Sequence, residues 1–349
     1  ELLLIKNTGK GQSALIWRVH HSLGDGLSML SVIETVIEHK DGTPLRSMRD
    51  EFSSKKQQHQ KANKRMPWYQ IFAKALQALF SILVLPNSPY DDDTLFSPGG
   101  KKQLIHSQNR DLIIFPTVPL DFVKQLKTAA KCSLNDVLYT CLSQGIHDYL
   151  EHKQDPKLQE KGEKLLCRTL MPVVMPRPHS TVQDPTETLR NTFAFISADF
   201  GVGYSDIMGR LRHVNDIMMN IKRSLLLPVG LWVQNSLLSN VPHFINQQVV
   251  LDIWQRHSCI FSNVPGPSKA CLFAGKEVVG VGMYFSNLVP QTGFLSYNGK
   301  IYGCLCLDPD TIPDSHTFPI WYCRALVELA SQLKVPVPKD VEIYAERKC

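Results

Sequence analysis

The chain has 349 residues, of which 43% are hydrophobic and 20% charged, a composition typical of a globular protein longer than one usual domain. The formal net charge of +6 is small and the basic residues are scattered, so we expect no nucleic-acid partner. The same mild positive charge is compatible with a weak preference for anionic membrane surfaces. The nine cysteines include no Cys-x-x-Cys pair, which indicates reduced core residues in a protein that faces the cytosol.

The first forty residues predict a β-hairpin followed by a helix. Apolar runs at 2–5 and 14–19 flank the turn-forming residues 7–11. The second strand is predicted to end at His20 and His21, before a turn at 24–26 and a helix with apolar residues at helical spacing. Because the sequence enters a strand directly after Glu1, we expect upstream residues to be missing.

A basic stretch and an apolar stretch follow one another between residues 42 and 85. Residues 42–65 are polar and predict a solvated linker. The run after Trp68 and Tyr69 is shorter than the roughly 20 apolar residues that span a bilayer and contains Lys74, so we expect no crossing. Two interpretations stay open, a membrane-interface anchor and a buried helix between lobes. The basic residues of the linker are Lys55, Lys56, Lys61, Lys64 and Arg65.

The remaining chain alternates irregularly between helix and strand patterns, which favours a mixed α/β fold. Helices are predicted after Pro119, after the capping-box pair Ser133 and Asp136, and at 205–223 and 316–333. Residues 229–248 predict another helix or a hydrophobic segment. Strands are predicted at 165–175, 191–200, 259–264, 277–283, 295–297 and 301–307, the last two joined by the hairpin turn Asn298-Gly299.

The motif His20-His21-Ser22-Leu23-Gly24-Asp25-Gly26 carries the strongest chemical signal. A neutral histidine held at a strand end can act as a general base for an alcohol. Asp25 can accept a hydrogen bond or pair with an arginine and so fix the loop that orients the imidazole. Its two flanking glycines predict unusual backbone angles. The plainer alternative is a pair of core histidines beside an ordinary turn.

This motif resembles the active-site motif His-His-x-x-x-Asp-Gly of CoA-dependent acyltransferases. Further motifs, in the same order along the chain, are similar to those of the bifunctional wax ester synthase/diacylglycerol acyltransferase family. They are residues 134–137 (Leu-Asn-Asp-Val), 168–172, 262–267 (Ser-Asn-Val-Pro-Gly-Pro) and the late hairpin around Asn298. Arg190 before Asn191 departs from the family's frequent Gly-Asn, which leaves the local backbone in question.

The resemblance implies a two-lobed fold of the chloramphenicol acetyltransferase type with a central tunnel. Residues 1–100 would be the remainder of an incomplete N-terminal lobe that carries the histidine motif, and residues 101–349 the C-terminal lobe. Roughly the first quarter of the family's fold is expected to be absent.

The resemblance also implies a function, O-acyl transfer from acyl-CoA to diacylglycerol or a long-chain alcohol with His21 as general base. His20, Asp25 and Gly26 complete the motif. No metal and no cofactor besides the substrate acyl-CoA are expected. The expected location is the cytosolic face of the endoplasmic reticulum membrane. Alternatives are an inactive acyl- or lipid-binding protein, and an acyltransferase acting on an amine or carnitine.

Four further motif positions are open to two interpretations each. Asn263, and less strongly Ser262, are candidate donors to the oxyanion, although both residues can instead only shape the turn at Pro265 and Gly266. Asn135 and Asp136 fit a helix cap better than a catalytic pair.

Overall fold

The computed structural model describes residues 1–40, 67–84, 88–97, 107–174 and 189–349. The predicted basic linker and the predicted lobe boundary at 100/101 lie outside these residues. The strands are β1 (Leu2–Gly9), β2 (Gln12–Trp17), β3 (Ile37–His39), β4 (Asp111–Ile114), β5 (Val118–Pro119), β6 (Arg168–Val174), β7 (Phe193–Asp199), β8 (Cys259–Pro265), β9 (Cys271–Phe273), β10 (Lys276–Glu277), β11 (Gln291–Tyr297) and β12 (Lys300–Leu307).

The α-helices of the described residues are α1 (Gly26–Val36), α2 (Trp68–Val84), α3 (Leu120–Ala129), α4 (Leu134–His152), α5 (Pro156–Lys161), α6 (Ile207–Arg223), α7 (Leu226–Trp232), α8 (His243–Gln255), α9 (Phe318–Leu333) and α10 (Lys339–Ala345). A π-helical turn (Val233–Leu237) and a 3-10 turn (Leu238–Asn240) follow α7. None of the helices in this part of the chain combines the length and apolarity that crossing a bilayer requires.

A mixed sheet of seven strands organises the fold, in the order β4-β12-β11-β8-β6-β7, with β5 also pairing with β12. β8 is parallel to both of its neighbours, β11 and β6, and the other pairs are antiparallel. The turn between β11 and β12 holds Asn298 and Gly299 at φ 46° and 72°. A two-residue hairpin of this type needs positive φ at both positions, so the predicted hairpin is confirmed.

One face of the sheet is covered by the main hydrophobic core. α4 and α9 pack there against each other and against ring side chains of β8 and β11. α4 begins with the predicted capping box, in which Ser133 and Asp136 exchange hydrogen bonds. A Cβ at Gly145 would lie 3.1 Å from the backbone nitrogen of Tyr322, so the two helices approach each other closely there.

The opposite face of the sheet carries a smaller apolar cluster. Leu170 of β6 and Ile260 of β8 belong to it, while their neighbours Met171 and Phe261 belong to the main core. This split follows from the alternation of side chains along a strand. The candidate site is lined by residues of both clusters, among them Phe261 and Ile260.

The N-terminal segment contributes a strand to a separate three-stranded sheet with the order β10-β9-β3. β3 pairs antiparallel with β9, with Ile37 opposite Phe273. Elements of residues 1–40 are therefore held against residues 271–277, far along the chain.

Several predicted boundaries were wrong for identifiable reasons. The strand expected at 277–283 is reduced to Lys276–Glu277, because Gly280 and Gly282 weaken the strand and the chain passes beside Tyr302 instead. The helix or hydrophobic segment expected at 229–248 is interrupted before α8 at Pro242, which has no N–H to donate. α6 begins at Ile207, after its N-cap Asp206, and so starts two residues later than expected.

All nine cysteines carry free thiols, and seven of them are buried. The prediction of reduced core cysteines is thus confirmed for these seven. Cys132 is half-buried and Cys349 is exposed. Burial raises the pKa of the core thiols, for example that of Cys304 to about 11, so they act as small apolar side chains.

Candidate active site

A cavity of about 1220 Å³ is lined by the loop that carries His20, His21 and Asp25 and by residues of β6, β7 and β8. Its volume exceeds the roughly 300–1,000 Å³ of typical small-molecule sites. Most of its lining is apolar, which suits alkyl chains. The polar residues of the lining are Arg18, His20, His21, Asp25, Asn135, Ser262, Asn263, Ser286, Asn287 and Gln291.

His21 lies at the cavity wall with its imidazole between two aromatic rings. The ring centroids of Phe193 and Phe285 are 5.7 and 6.1 Å from that of His21. Within the described parts of the chain, neither nitrogen of this ring forms a hydrogen bond. The aromatic neighbours restrict the imidazole sideways while a ring nitrogen stays available to a substrate hydroxyl.

His20 has a different role from its neighbour. β2 ends at Trp17, opposite Leu2 of β1, so the two histidines lie beyond the strand and not at its last positions as predicted. His21–Leu23 form a 3-10 turn, and His20 Nδ1 accepts a hydrogen bond from the backbone N–H of Ser22 at 3.3 Å. His20 therefore caps the turn that presents His21.

Asp25 is buried and caps α1. Its Oδ1 accepts hydrogen bonds from the backbone N–H and the hydroxyl of Ser28, at 3.0 and 3.1 Å. Its Oδ2 accepts one from the backbone N–H of Thr192 at 2.8 Å. Among the described residues, Asp25 thus accepts hydrogen bonds that join the loop to Ser28 and Thr192, as predicted.

The segment 190–192 binds the histidine loop through further hydrogen bonds. The Asn191 side-chain amide donates to the carbonyl oxygen of His21 at 3.0 Å, and the backbone N–H of Asp25 donates to the carbonyl oxygen of Arg190 at 3.2 Å. We call residues 190–192 with their contacts to His21, Asp25 and Ser28 the loop clamp. Asn191 was not among the predicted site residues. Asn191 follows Arg190, at the position where the departure from the family's Gly-Asn had left the local backbone in question.

Neither glycine of the motif adopts the left-handed backbone conformation, and the space around them differs. Gly24 has φ 167° and ψ 162°, which is extended backbone that other residues adopt, so the expectation of special dihedrals was wrong. A Cβ at Gly24 would lie 2.6 Å from Ser28 Cβ, whereas one at Gly26 would be 3.6 Å from Val264 Cγ2. Only Gly24 is sterically required.

Asn135 and Asn263 meet at the cavity although they are far apart in sequence. The Asn263 amide donates to Asn135 Oδ1 at 2.6 Å and keeps a second N–H. Asp136 turns instead to Ser133, so the interpretation of this pair as a helix cap is confirmed for Asp136 alone. The hydrogen bond joins the N-terminus of α4 to β8.

Ser262 and Pro265 also line the cavity, while Gly266 shapes the turn after β8. A Cβ at Gly266 would lie 2.3 Å from the carbonyl oxygen of Ser296, so no other residue fits without a backbone shift. The predicted structural role of Gly266 is confirmed.

Buried polar groups behind the cavity hold β6 and β8 in place. Asp91 binds Arg168 through an Nε–Oδ1 contact of 2.7 Å and accepts from the Ser258 hydroxyl at 2.7 Å. Burial raises the pKa of Asp91 to about 6, although the Arg168 guanidinium lowers it. His257, which directly precedes Ser258, forms hydrogen bonds with the Ile253 carbonyl oxygen and the Ser197 hydroxyl. Burial lowers the pKa of this histidine to about 4.

One group in the described residues has the donor atoms for a cation. His147, Asp148 and Glu151 of α4 place ligand atoms within 4.8 Å of one another. None of the three lines the cavity, and His147 Nδ1 is already bonded to the Val202 carbonyl. This group is separate from the candidate site.

Comparison with known proteins adds independent findings. Residues 189–329 match the family model of the WS/DGAT C-terminal domain. The chain is 24% identical to wax ester synthase/diacylglycerol acyltransferase 2 of Arabidopsis thaliana over 361 residues, which cover 97% of this chain and 73% of the relative. It is also 24% identical to protein 11 of that series over 369 residues, covering 96% and 72%.

Two solved structures share the fold. A wax ester synthase/diacylglycerol acyltransferase from Marinobacter aquaeolei VT8 aligns with a TM-score of 0.60 at 18% identity, over 96% of this chain and 71% of that one. An epimerization domain of tyrocidine synthetase B aligns with a TM-score of 0.50 at 15% identity, over 93% and 70%. The mixed sheet with its histidine loop thus has the fold of CoA-dependent acyltransferases. Within that class, residues 189–329 match the WS/DGAT C-terminal domain, and the chain is similar along most of its length to wax ester synthase/diacylglycerol acyltransferases.

Proposed function

We propose that the protein transfers a fatty acyl group from acyl-CoA to the hydroxyl of a lipid alcohol in this cavity, with His21 as general base. The observation that carries the proposal is the His21 imidazole at the wall of a large apolar cavity, on a loop fixed by the loop clamp. The names of the relatives support the same chemistry.

In the proposed reaction, a neutral His21 nitrogen accepts the hydroxyl proton as the alcohol oxygen attacks the thioester carbonyl carbon. The C–S bond of the resulting tetrahedral intermediate breaks, and His21 returns the proton to the departing CoA thiolate. An ester and free CoA result. The chain's own residues position the base and exclude water from the acyl group.

The negative oxygen of the tetrahedral intermediate needs a hydrogen-bond donor. We assign this role to Asn263, because Asn135 fixes its amide plane and leaves one N–H for the substrate. A single donor of this kind is worth about 3–4 kcal/mol in comparable sites. Ser262, on the same strand and also at the cavity, is the weaker candidate.

The apolar lining favours long acyl chains and a water-insoluble acceptor. Phe193, Phe195 and Trp254 form part of one wall, and Tyr284 and Phe285 part of another. Diacylglycerol and long-chain fatty alcohols both present one hydroxyl on an alkyl body, and we propose them as the acceptors.

The test is an assay of the purified full-length protein with labelled palmitoyl-CoA and either hexadecanol or diacylglycerol, followed by separation of the lipids. We expect labelled ester from the wild type and about 10²–10⁴-fold slower formation by His21→Ala. Near-wild-type turnover by folded His21→Ala contradicts the mechanism. Tight binding of palmitoyl-CoA by wild-type protein that forms no ester favours the lipid-binding alternative instead.

His20 supplies the matched control. His20→Ala removes the cap of the 3-10 turn and should lower the rate only several-fold. His20→Asn should restore most of it, since asparagine is a strong capping residue. Equal losses in His20→Ala and His21→Ala, without rescue by asparagine, would show that the two histidines cannot be assigned separate roles.

A further inference from the structure

Gln291 is a buried polar residue in the wall of the cavity. Its side chain is 6% exposed and lies at the first position of β11. Gln291 is opposite Ile260 of β8, and side chains at paired positions of neighbouring strands share a face of the sheet. Ile260 belongs to the smaller apolar cluster, together with Leu170. Gln291 therefore places an amide beside side chains that have no hydrogen-bonding group.

Two successive hydrogen bonds fix the orientation of this amide. The backbone N–H of Leu288 donates to Asn287 Oδ1 at 2.8 Å, so the side-chain nitrogen of Asn287 points the other way. That nitrogen donates to Gln291 Oε1, also at 2.8 Å. Among the described residues, none accepts a hydrogen bond from the NH2 group of Gln291. The cavity wall thus contains a hydrogen-bond donor whose orientation is set by its neighbours.

This donor is separate from the proposed oxyanion site. β6 and β8 are paired up to Leu170 and Ile260, and residues of both strands beyond this pair line the cavity. Gln291 lies level with the last pair, whereas Asn263 follows Ile260 by three residues, which is about 10 Å along a strand. An oxygen bound by Gln291 is therefore not the oxygen that receives charge beside Asn263.

The donor is nevertheless close enough to His21 to contact the same substrate. The ring of Phe285 lies 6.1 Å from that of His21, between the ring centroids. Asn287, which orients Gln291, follows Phe285 by two residues, or at most about 7 Å of extended chain. A lipid whose hydroxyl lies at His21 can thus reach Gln291 with groups a few bonds away.

The chemistry of the donor indicates what it binds. A donor in an apolar cavity requires an acceptor, because its hydrogen bonds to water are otherwise lost without replacement. Gln291 offers only this donor, since Asn287 already occupies its oxygen. An ester has acceptor oxygens alone and matches it, whereas each amide of the pantetheine arm of CoA also brings an N–H that needs its own acceptor.

We propose that the Gln291 amide donates a hydrogen bond to an ester carbonyl oxygen of the acceptor and thereby selects diacylglycerol over a simple long-chain alcohol. Diacylglycerol carries ester carbonyls a few bonds from its free hydroxyl, and a fatty alcohol carries none. A site built to hydrogen-bond a substrate group discriminates strongly against an analogue that lacks this group. The inference rests on the proposed function and deepens it by naming the class of acceptor.

Binding of a water-soluble diacylglycerol and of its diether tests the proposal without turnover. Dioctanoylglycerol and the corresponding dioctyl diether both have a free hydroxyl and two chains, but the diether lacks the carbonyl oxygens. Titration calorimetry of the full-length wild type should show about tenfold tighter binding of the diester. Gln291→Met keeps the length of the side chain and removes the donor, so its affinities for the two lipids should agree within about twofold. Equal binding of both lipids by the wild type overturns the proposal, as does a diester preference that survives in folded Gln291→Met.

Gln144→Met is the matched control. Gln144 is also buried, and its amide donates to Asp148 at 2.7 Å, but it does not line this cavity. The control should keep the diester preference of the wild type, and thermal melts verify the fold of both variants. Loss of the preference in both variants overturns the proposal. So does weaker binding of palmitoyl-CoA by Gln291→Met with the diester preference intact, because the amide then serves the pantetheine arm. A diester preference that depends on Gln291, in a protein that forms no ester from palmitoyl-CoA, supports the proposal and shows a failure of the proposed function alone.

Discussion

The Asn191 side-chain amide donates a hydrogen bond to the backbone carbonyl oxygen of His21, at 3.0 Å. The contact leaves the imidazole free and fixes only the peptide from which it projects. A residue of the second half of the chain therefore determines the position of the proposed base from the first half.

Replacing Asn191 should lower turnover with little effect on stability. Asn191→Ala and Asn191→Asp both remove the donor, and we expect kcat to fall about ten- to a hundredfold because the imidazole shifts from its productive position. The Tm should change little, since this hydrogen bond is exposed and worth about 1 kcal/mol. Steady-state kinetics and thermal melts measure both. As control, Asn109→Ala removes an exposed hydrogen bond from the side-chain amide to Asp310 and should leave kcat unchanged.

Asp25→Asn should lower stability and activity together. The carboxylate accepts from Ser28 on one oxygen and from Thr192 on the other. An amide must turn its NH2 toward one of these donors, so at least one buried bond is lost, at about 1–3 kcal/mol. Chemical denaturation and the ester assay report the two effects.

Asp155 offers a matched control for Asp25. It is equally buried, caps α5 through Lys157 and Leu158, and accepts from Leu95 on its other oxygen. Asp155→Asn should cost similar stability while the folded enzyme keeps its turnover. If Asp25→Asn loses activity with no change in stability, Asp25 acts on the His21 ring more directly than the structure indicates.

Alanine at the two motif glycines should have unequal effects. Gly24→Ala places a Cβ 2.6 Å from Ser28 Cβ and should destabilise the fold by about 1–3 kcal/mol, with lower activity because Ser28 and Asp25 move. Gly26→Ala makes an ordinary contact with Val264 and should be tolerated. Denaturation curves of the two variants decide the matter, and equal destabilisation would refute the steric argument.

Acid should weaken the protein through His257. Burial lowers the pKa of this histidine from 6.5 to about 4, so the unfolded chain binds the proton more readily than the folded one. The stabilising contribution is present above pH 6.5 and is lost as the pH falls toward about 4, to a total of about 3 kcal/mol.

The His257→Gln variant isolates this effect. Asp91 contributes a slope of opposite sign between about pH 4 and 6, because burial raises its pKa to about 6. The difference in unfolding free energy between wild type and His257→Gln should therefore be followed across this range. It should shrink as the pH falls, and a constant difference contradicts the assignment.

Local sequence patterns predicted the elements that depend on local interactions. The capping box at Ser133 and the Asn298-Gly299 turn are decided by residues close in sequence, and both are confirmed. The apolar period of α2 also predicted a helix, but it could not predict which face is outward. That depends on α7 and Arg223, more than 140 residues away.

The sequence motifs identified residues of the candidate site, but they did not predict which contacts those residues make. His21 and Asn263 line the cavity, as the resemblance implied, and Asn135, expected as part of a helix cap, lines it too. The capping role of His20 depends on where β2 ends, which its pairing with β1 determines. The role of Asn191 depends on a tertiary hydrogen bond for which the isolated sequence gives no spacing rule.

The loop clamp joins groups separated by 162 to 170 residues along the chain. Closing so long a loop costs conformational entropy before any contact forms, and contacts at such separation arise late in folding. The capping box of α4, in contrast, joins residues that are three positions apart. On refolding from denaturant, the helical signal should therefore recover first, and the histidine loop should acquire its final geometry only when the two distant segments have docked.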